Sequence, residues 1–215
     1  VYLASWLDAR RDEVKTVSFG MIPFAVMLAI VDMFLIMQPD IGTLGVIVVT
    51  SGVLYFLGGG KTSQIASLTI FGMVILYFIV QMAPYRLDRI SVFWNPELDP
   101  KGSGYQITQA LIAIGSGGVW GIGFGKGLQK YNYLPEPMGD SIFAIFAEEL
   151  GFLGAFLVII FYLILLSRML RISLKSPDLF GQLLTMGIFS QLFFQIFVNI
   201  GMNLGIVPIT GITLP

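Results

Sequence analysis

Five long stretches of this sequence carry almost no charge, and they constrain the fold more than any other feature. A helix needs about 20 predominantly apolar residues to cross the hydrocarbon of a bilayer. Asp32 alone interrupts the first stretch, and Glu148 and Glu149 lie near the start of the fourth. The sequence therefore predicts five membrane-spanning helices, over residues 16–37, 41–60, 62–85, 141–167 and 179–204. Residues 1–7 are interpreted as the tail of an earlier helix.

The composition supports a polytopic membrane protein and excludes most other classes. Of the 215 residues, 56% are hydrophobic and 12% are charged, whereas soluble domains carry roughly 25% charged residues. The net charge of −1 provides no basic surface for nucleic acid. The chain has neither cysteine nor histidine, which removes disulfides, thiolate chemistry and the usual zinc ligands. Any general base must therefore be Asp, Glu, Lys or Tyr, and we expect an all-α polytopic fold.

Basic residues between the predicted spans set the expected orientation, because short cytoplasmic loops are enriched in lysine and arginine. Seven of them fall on one side, interpreted as cytoplasmic: Arg10, Arg11, Lys15, Lys61, Arg168, Arg171 and Lys175. The other five share the long segment 83–140: Arg86, Arg89, Lys101, Lys126 and Lys130. Long loops translocate largely regardless of charge, so we expect this segment to face outward.

One further charge-free run, residues 103–125, could form a sixth span and would then place Arg168, Arg171 and Lys175 outside. However, a glycine cluster, GSGGVWGIGFGKG, begins within this run at Gly115 and ends at Gly127. Glycine destabilises a helix by about 1 kcal/mol per residue relative to alanine. We therefore predict an interfacial or re-entrant helix over residues 105–114, followed by an irregular loop. Such a loop survives at membrane depth only when it is buried in protein or lines a wet cavity.

Two glycine-rich segments only partly match phosphate-binding loops. Gly58–Thr62 ends like a P-loop, but the position five residues before Gly60 is Tyr55, where the pattern needs glycine. A tight turn is the better interpretation there. The later glycine cluster contains no G-x-G-x-x-G motif, although its backbone amides could still cradle an anion. Close packing of a re-entrant segment explains those glycines equally well.

The segment between Lys126 and Asp140 is the richest in chemistry, with two lysines, two tyrosines and two carboxylates directly before an apolar helix. Asp140 stands where a helix N-cap belongs, and capping alone would account for it. It is also one of the few bases available in a chain without histidine. The positive end of the helix dipole favours an ionised carboxylate, which suits a base better than an acid. Catalysis and capping both remain open on these grounds.

Other polar residues lie within the predicted spans, where charge is costly and counts as a functional candidate. Asp32 either acts directly or pairs with a basic residue of a neighbouring helix. Glu148 and Glu149 lie about 12 Å along the helix from Asp140. They cannot both face lipid, so we favour a structural ion pair over proton transfer. The i, i+4 pair Asn199 and Asn203 is explained by hydrogen bonding between helices.

Several motifs in this order and spacing resemble the SEDS family (shape, elongation, division and sporulation), which includes the RodA, FtsW and SpoVE proteins. These are Gln38–Thr43 (QPDIGT), Gly104–Gln106 (GYQ), Gly115–Gly118 (GSGG), Gly123–Gly127 (GFGKG), Leu134–Glu136 (LPE), Asp140–Ala144 (DSIFA), Glu148–Gly151 (EELG), Asn199–Gly201 (NIG), Pro208–Gly211 (PITG) and Leu214–Pro215. Two departures stand out. The family usually has Thr-Asp-Phe-Ile-Phe where this chain has Gly139-Asp-Ser-Ile-Phe143, and Thr213 stands where proline is common.

The resemblance implies a ten-helix fold of which this chain holds about the fifth to ninth helices. Both ends look cut, and the chain alone is not expected to be active. We expect a single domain over residues 1–215, with 83–140 as the large extracellular loop, in a bacterial plasma membrane. The implied activity is peptidoglycan glycosyltransfer, the polymerisation of lipid II into glycan strands for cell division or elongation. The implied partners are lipid II, the nascent glycan, membrane lipids and a class B penicillin-binding protein transpeptidase.

By resemblance, the family's essential loop aspartate corresponds to Asp140, which would act as general base toward the acceptor hydroxyl. Substrate binding is assigned to Lys126, Lys130, Glu136, Arg86 and Arg89, whose cations would offset pyrophosphate charge. The supporting polar residues are Asp32, Gln38, Asp40, Glu148, Glu149 and Asn199. A divalent cation, Mg²⁺ or Mn²⁺, could share the charge, although no ligand motif is visible. Two alternatives stay open: a lipid II flippase, and a non-catalytic scaffold for a transpeptidase.

Overall fold

The computed structural model describes the backbone of residues 1–81, 84–129 and 139–215, and the side chains of these residues except 84–88. Every regular element in these ranges is helical. The helices are α1 (Tyr2–Ala9), α2 (Ile22–Met37), α3 (Ile41–Leu57), α4 (Thr62–Gln81), α5 (Pro84–Trp94), α6 (Ser103–Gly117), α7 (Ile142–Lys175) and α8 (Leu179–Asn203). A π-helical turn, Val17–Met21, precedes α2, and a 3₁₀ turn, Pro96–Leu98, follows α5. The predicted all-α class is confirmed.

Four helical segments in the described residues are long and apolar enough to cross a membrane: Val17–Met37, Thr62–Gln81, Ile142–Lys175 and Leu179–Asn203. The remaining predicted span, residues 41–60, is also helical, but its helix, Ile41–Leu57, has only 17 residues. That length is about 25 Å, near the lower limit for crossing the hydrocarbon. The predicted set of five helices is therefore present, and the fold is that of a polytopic membrane protein.

The long segment between α4 and α7 holds more helix than the sequence predicted. Helix α5 was not expected, and α6 extends the predicted helix by two residues at its start and three at its end. The Asp99 carboxylate accepts hydrogen bonds from the N–H groups of Gly102 (2.9 Å) and Ser103 (2.8 Å), which fixes the start of α6. At 15 residues, about 22 Å, α6 is too short for a sixth span.

Two compact units make up the chain, and each has its own core. The first contains Val1–Ile79 and Leu165–Phe194. Its centre is the fully buried Tyr55, whose ring packs against Phe24 with centroids 4.4 Å apart. The Tyr55 hydroxyl lies within donating distance of the Val14 carbonyl (3.0 Å) and Gln64 Oε1 (3.2 Å).

Glycines 58–60 form a tight turn between α3 and α4, in agreement with the turn interpretation.

The second unit contains Val80–Ile164 and Gln195–Pro215. Small buried side chains line its core, namely Ala110, Ala113, Ala144 and Ala147. Small residues let helices approach closely, and a Cβ at Gly117 would collide with the Ala147 carbonyl. This contact explains why α6 continues into the glycine cluster, where the sequence predicted a loop. The expectation of a single domain over residues 1–215 stays a prediction.

Candidate active site

Asp140 lies in the second unit, in the turn that leads into α7. The helix begins at Ile142, so Ser141 directly precedes it and Asp140 is one residue further out. The N–H groups of Ala144 and Ile145 donate to the Ser141 carbonyl at 3.1 and 3.3 Å. Ser141 therefore stands at the helix start, the position that the sequence pattern predicts for Asp140. The Asp140 side chain is half-buried.

Two buried asparagines of α8 hold the main chain of Asp140. Asn199 Nδ2 and Asn203 Nδ2 each donate to the Asp140 carbonyl at 2.9 Å. Asn199 Nδ2 also donates to the Ile212 carbonyl at 2.7 Å, and Asn203 Nδ2 to the Asn199 carbonyl at 2.9 Å. The two side chains are 0% and 3% exposed. The sequence predicted hydrogen bonds between spans, whereas these amides fix the turn that carries Asp140.

A small cleft opens beside this turn. Its lining comprises Gln106, Ile107, Ala110, Asp140, Ser141, Met202, Asn203 and Ile209. Its volume, about 10 Å³, admits roughly one water molecule. Gln106 Nε2 lies 3.5 Å from Ser141 Oγ, and Arg89 Nη1 donates to the Ile209 carbonyl at 3.5 Å. Arg89 thus contacts the main chain of one residue, Ile209, that lines the cleft together with Asp140.

Gln106 and Ser141 were missed as site residues. Both fall inside motifs that carry the family resemblance, GYQ and DSIFA. For Ser141 the available signal was its position next to Asp140 in the sequence, and for Gln106 it was the GYQ motif. A one-dimensional pattern could not place Gln106, because 35 residues separate it from Ser141.

The glycine loop, residues 118–129, follows α6. Two adjacent glutamates, Glu148 and Glu149, connect it to α7 by hydrogen bonds. Glu149 Oε2 accepts from the Gly125 N–H at 2.9 Å, and Glu148 Oε1 accepts from the Leu128 N–H at 3.0 Å. The Gln129 N–H also donates to Glu148 at 3.4 Å. Both glutamates are buried. The described partners of Glu148 are backbone amides, which are good donors to a buried carboxylate. The structural ion pair expected for the two glutamates stays a prediction.

Helix α7 is broken at Gly151, which the sequence did not predict. Gly151 has φ 68° and ψ −169°, a conformation that glycine adopts without steric cost. The loop repairs the hydrogen bonds lost at the break. The N–H groups of Ile122 and Gly123 donate to the carbonyls of Glu148 (3.1 Å) and Glu149 (3.0 Å). In return, the N–H groups of Phe152 and Leu153 donate to the carbonyls of Gly118 (2.8 Å) and Val119 (3.3 Å). Irregular backbone at this depth is therefore satisfied by protein, as membrane burial requires.

The other residues predicted for the site lie on the glycine loop, outside the described residues, or in the first unit. Lys126 is exposed on the glycine loop and makes no ion pair with any described residue. Lys130 and Glu136 lie outside the described residues, as does the side chain of Arg86. Gln38, Asp40 and Asp32 belong to the first unit.

The hydrogen bonding of two first-unit residues, Asp40 and Asp32, is described by the structure. The Asp40 carboxylate caps α3 by accepting from the Thr43 N–H at 3.0 Å. Asp32 Oδ1 is buried without a hydrogen-bond partner among the described residues. Within the described residues, no ion pair to Asp32 is found.

Two ligand hypotheses can be compared with this geometry. One backbone amide of the glycine cluster, at Gly125, and two directly after it, at Leu128 and Gln129, already donate to the carboxylates of Glu148 and Glu149. The anion that this part of the loop cradles is thus the protein's own. Across the described ranges, no group of three or more Asp and Glu side chains converges as a metal site would require. The divalent cation stays an open expectation.

The arrangement defines a class: an all-helical polytopic membrane protein in which Asp140 lines a small cleft and an irregular glycine loop packs against the break in α7. A family model described as "Cell cycle protein", covering FtsW, RodA and SpoVE, matches residues 1–215. The chain belongs to this family, the SEDS family.

Curated relatives match over the whole chain. Stage V sporulation protein E of Bacillus subtilis is 41% identical over 214 residues and covers 100% of this chain, which spans 58% of that relative. The "Probable peptidoglycan glycosyltransferase FtsW" of Idiomarina loihiensis is 41% identical over 218 residues, and this chain spans 53% of it. The same-named protein of Escherichia coli O157:H7 is 37% identical over 217 residues, with 52% spanned. The chain thus covers about half the length of these relatives.

Two solved structures share the fold. A chain from "Structural coordination of polymerization and crosslinking by a peptidoglycan synthase complex" has a TM-score of 0.71 and 24% identity. The match covers 99% of this chain and 61% of that one. An aspartate-to-alanine mutant of the Rod shape determining protein RodA from Thermus thermophilus has a TM-score of 0.56 and 25% identity, covering 99% and 56%. The protein is a bacterial membrane protein of this family.

Proposed function

We propose that the full-length protein is a peptidoglycan glycosyltransferase that polymerises lipid II, with Asp140 as its general base. The relatives named probable peptidoglycan glycosyltransferases support the activity. The observation that carries the residue assignment is the double amide clamp on the Asp140 main chain, together with the position of Asp140 on the cleft. A catalytic group must be held within a fraction of an ångström of its working geometry.

The proposed chemistry needs one proton transfer. The 4-hydroxyl of the acceptor sugar attacks the anomeric carbon of the donor, and the bond from that carbon to undecaprenyl pyrophosphate breaks. Asp140 accepts the hydroxyl proton as the new glycosidic bond forms, within hydrogen-bond reach of about 2.6–3.2 Å in the bound complex. In the described residues the cleft admits only about one water, so the sugars would bind above it, against the Asp140 carboxylate.

Cations are required to offset the charge that develops on the leaving pyrophosphate. Lys126 is suited to this role because its ammonium is exposed and unpaired among the described residues. Arg89 is suited because its guanidinium hydrogen-bonds to the main chain of Ile209, a residue that lines the Asp140 cleft. Lys130, Arg86 and Glu136 remain proposals from the family motifs. The same proposal places this surface on the extracytoplasmic side, where lipid II is used.

A transpeptidase partner is part of the proposal. One fold relative comes from a complex described by its polymerisation and crosslinking, and glycan polymerised by this protein would need crosslinking. We therefore propose that the full-length protein works with a class B penicillin-binding protein.

The decisive experiment is polymerisation of purified lipid II by the full-length protein in detergent. Asp140→Asn removes the base while keeping size and hydrogen-bonding capacity, so we expect kcat to fall by about 10²–10⁴. Glu97→Gln is the matched control, since Glu97 is an exposed carboxylate in the same long segment. Polymerisation at the wild-type rate by Asp140→Asn would remove Asp140 from its role.

The flippase alternative has less support from the geometry. It needs a polar path across the membrane, for which the candidates are Asp32, Glu148, Glu149, Asn199 and Asn203. The glutamates and asparagines hydrogen-bond to the glycine loop and to the Asp140 turn, and Asp32 belongs to the first unit. Translocation of lipid II in liposomes without polymer formation would nevertheless favour the flippase. For the scaffold alternative, Asp140→Ala would leave both growth and the partner's activity intact.

A further inference from the structure

We propose that Glu148 and Glu149 are positioning residues that hold the glycine loop so that Lys126 is presented to the donor pyrophosphate. This inference rests on the proposed function and adds a role for two carboxylates that the reaction itself does not use. The term "carboxylate clasp" denotes here the hydrogen bonds from Gly125, Leu128 and Gln129 N–H to these two side chains.

The loop is held in two distinct parts. Residues 118–123 are held by main-chain hydrogen bonds to the break in α7, at the carbonyls of Glu148 and Glu149 and the amides of Phe152 and Leu153. In residues 125–129, the hydrogen bonds to α7 come from the carboxylate clasp. Removing the two side chains should therefore free 125–129 and leave 118–123 in place.

Lys126 lies between the anchor points of the clasp. Its neighbour Gly125 is bound to Glu149, and Leu128, two residues later, is bound to Glu148. The Lys126 N–H donates to the Gly123 carbonyl at 3.0 Å, which completes a turn. The main chain of Lys126 is thus fixed on both sides, while its side chain stays exposed. A fixed main chain with an exposed ammonium is what binding a phosphate group at a defined position requires.

Gly127 shows how closely the loop fits over the clasp. A Cβ at this position would lie 2.8 Å from Glu148 Oε2 and 3.0 Å from Glu149 Oε1. Both carboxylates therefore lie against the loop at Gly127. A side chain at this position would displace the loop from Glu148 and Glu149. The hydrogen bonds of the clasp, at 2.9–3.4 Å, hold this part of the loop against the two buried carboxyl groups.

Hydrogen–deuterium exchange on the full-length protein tests the clasp directly. In Glu148→Ala we expect exchange at Leu128 and Gln129 to rise about tenfold or more, and in Glu149→Ala the same at Gly125. The amides of Ile122 and Gly123 should keep their protection, which also shows that the variants fold. Glu148→Gln retains an acceptor oxygen and should keep part of the protection. Glu97→Ala is the control with no expected change.

Lipid II kinetics test the positioning role. We expect the alanine variants to raise the KM for lipid II about tenfold, with a smaller change in kcat, because the base is untouched. A double-mutant cycle with Lys126→Ala should be non-additive, since loosening the loop matters only while the ammonium is present. Additive effects, or unchanged exchange at 125–129, would overturn the inference. If the wild type does not polymerise lipid II, the proposed function and the positioning role both fail, while exchange still reports whether the clasp forms.

Discussion

Asn203 donates its side-chain N–H to the backbone carbonyl of Asp140 at 2.9 Å, across 63 residues of sequence. Together with Asn199, it immobilises the chain that carries Asp140, a residue that lines the cleft. The pair explains how a side chain on a turn can be held in a defined position.

Loss of this clamp should reduce activity through Asp140. We expect Asn203→Ala to lower the rate of lipid II polymerisation by about tenfold, because small misplacement of a catalytic group is costly. It should also lower stability by about 1–3 kcal/mol, since the buried Asp140 carbonyl loses a donor. Polymerisation assays and thermal unfolding in detergent measure the two effects.

Gln191→Ala serves as the control for that variant, because Gln191 is an exposed amide on the same helix. Wild-type polymerisation by the double variant Asn199→Ala/Asn203→Ala would show that the clamp is not needed for activity.

Two glycines of α6 should respond in opposite ways to alanine. At Gly117 a Cβ would strike the Ala147 carbonyl, so Gly117→Ala should destabilise the protein by about 1–3 kcal/mol. At Gly115 a Cβ would meet nothing within 4 Å, so Gly115→Ala should be neutral or stabilise by about 0.5–1 kcal/mol. Apparent melting temperatures of the two variants give the comparison, and equal values would refute the close contact of α6 with α7.

The buried hydroxyl of Tyr55 should contribute to the stability of the first unit. Tyr55→Phe keeps the ring against Phe24 but leaves the Val14 carbonyl and Gln64 Oε1 without this donor. We expect a loss of about 1–3 kcal/mol, measured by thermal unfolding. Tyr77→Phe is the matched control because Tyr77 is 61% exposed. A Tyr55→Phe protein as stable as the control would show that the hydrogen bonds are dispensable.

The proposed orientation predicts opposite labelling of two turns. The 215-residue chain has no cysteine, so an introduced one is a clean probe within it. In intact cells we expect Leu128→Cys to react with a membrane-impermeant maleimide, since Leu128 is 66% exposed on the glycine loop. Lys61→Cys should react only after the membrane is opened. Reversal of the two results would place the Asp140 surface on the cytoplasmic side.

The predictions from sequence were most accurate for helices whose formation depends on residues close together in the chain. The predicted spans agree with the observed helices because a membrane-spanning helix needs a continuous run of apolar residues, and such a run can be recognised in the sequence alone. The predictions were less accurate in the segment 83–140, where they missed α5 and ended α6 at the first glycines. Helix propensity predicts a loop at Gly115–Gly117, but the close contact with Ala147 outweighs it.

The sequence by itself determined the class of the protein, its apolar helices, the shortage of possible bases and the family motifs, because these depend on residue type and spacing. Only the tertiary structure decided what the polar residues do. Asn199 and Asn203 hydrogen-bond to a turn some 60 residues away. Helix α7 is interrupted at Gly151, and the side chains of Glu148 and Glu149 hydrogen-bond to the glycine loop. The physical reason is that buried polar groups must find partners, and those partners are set by the packing of distant segments.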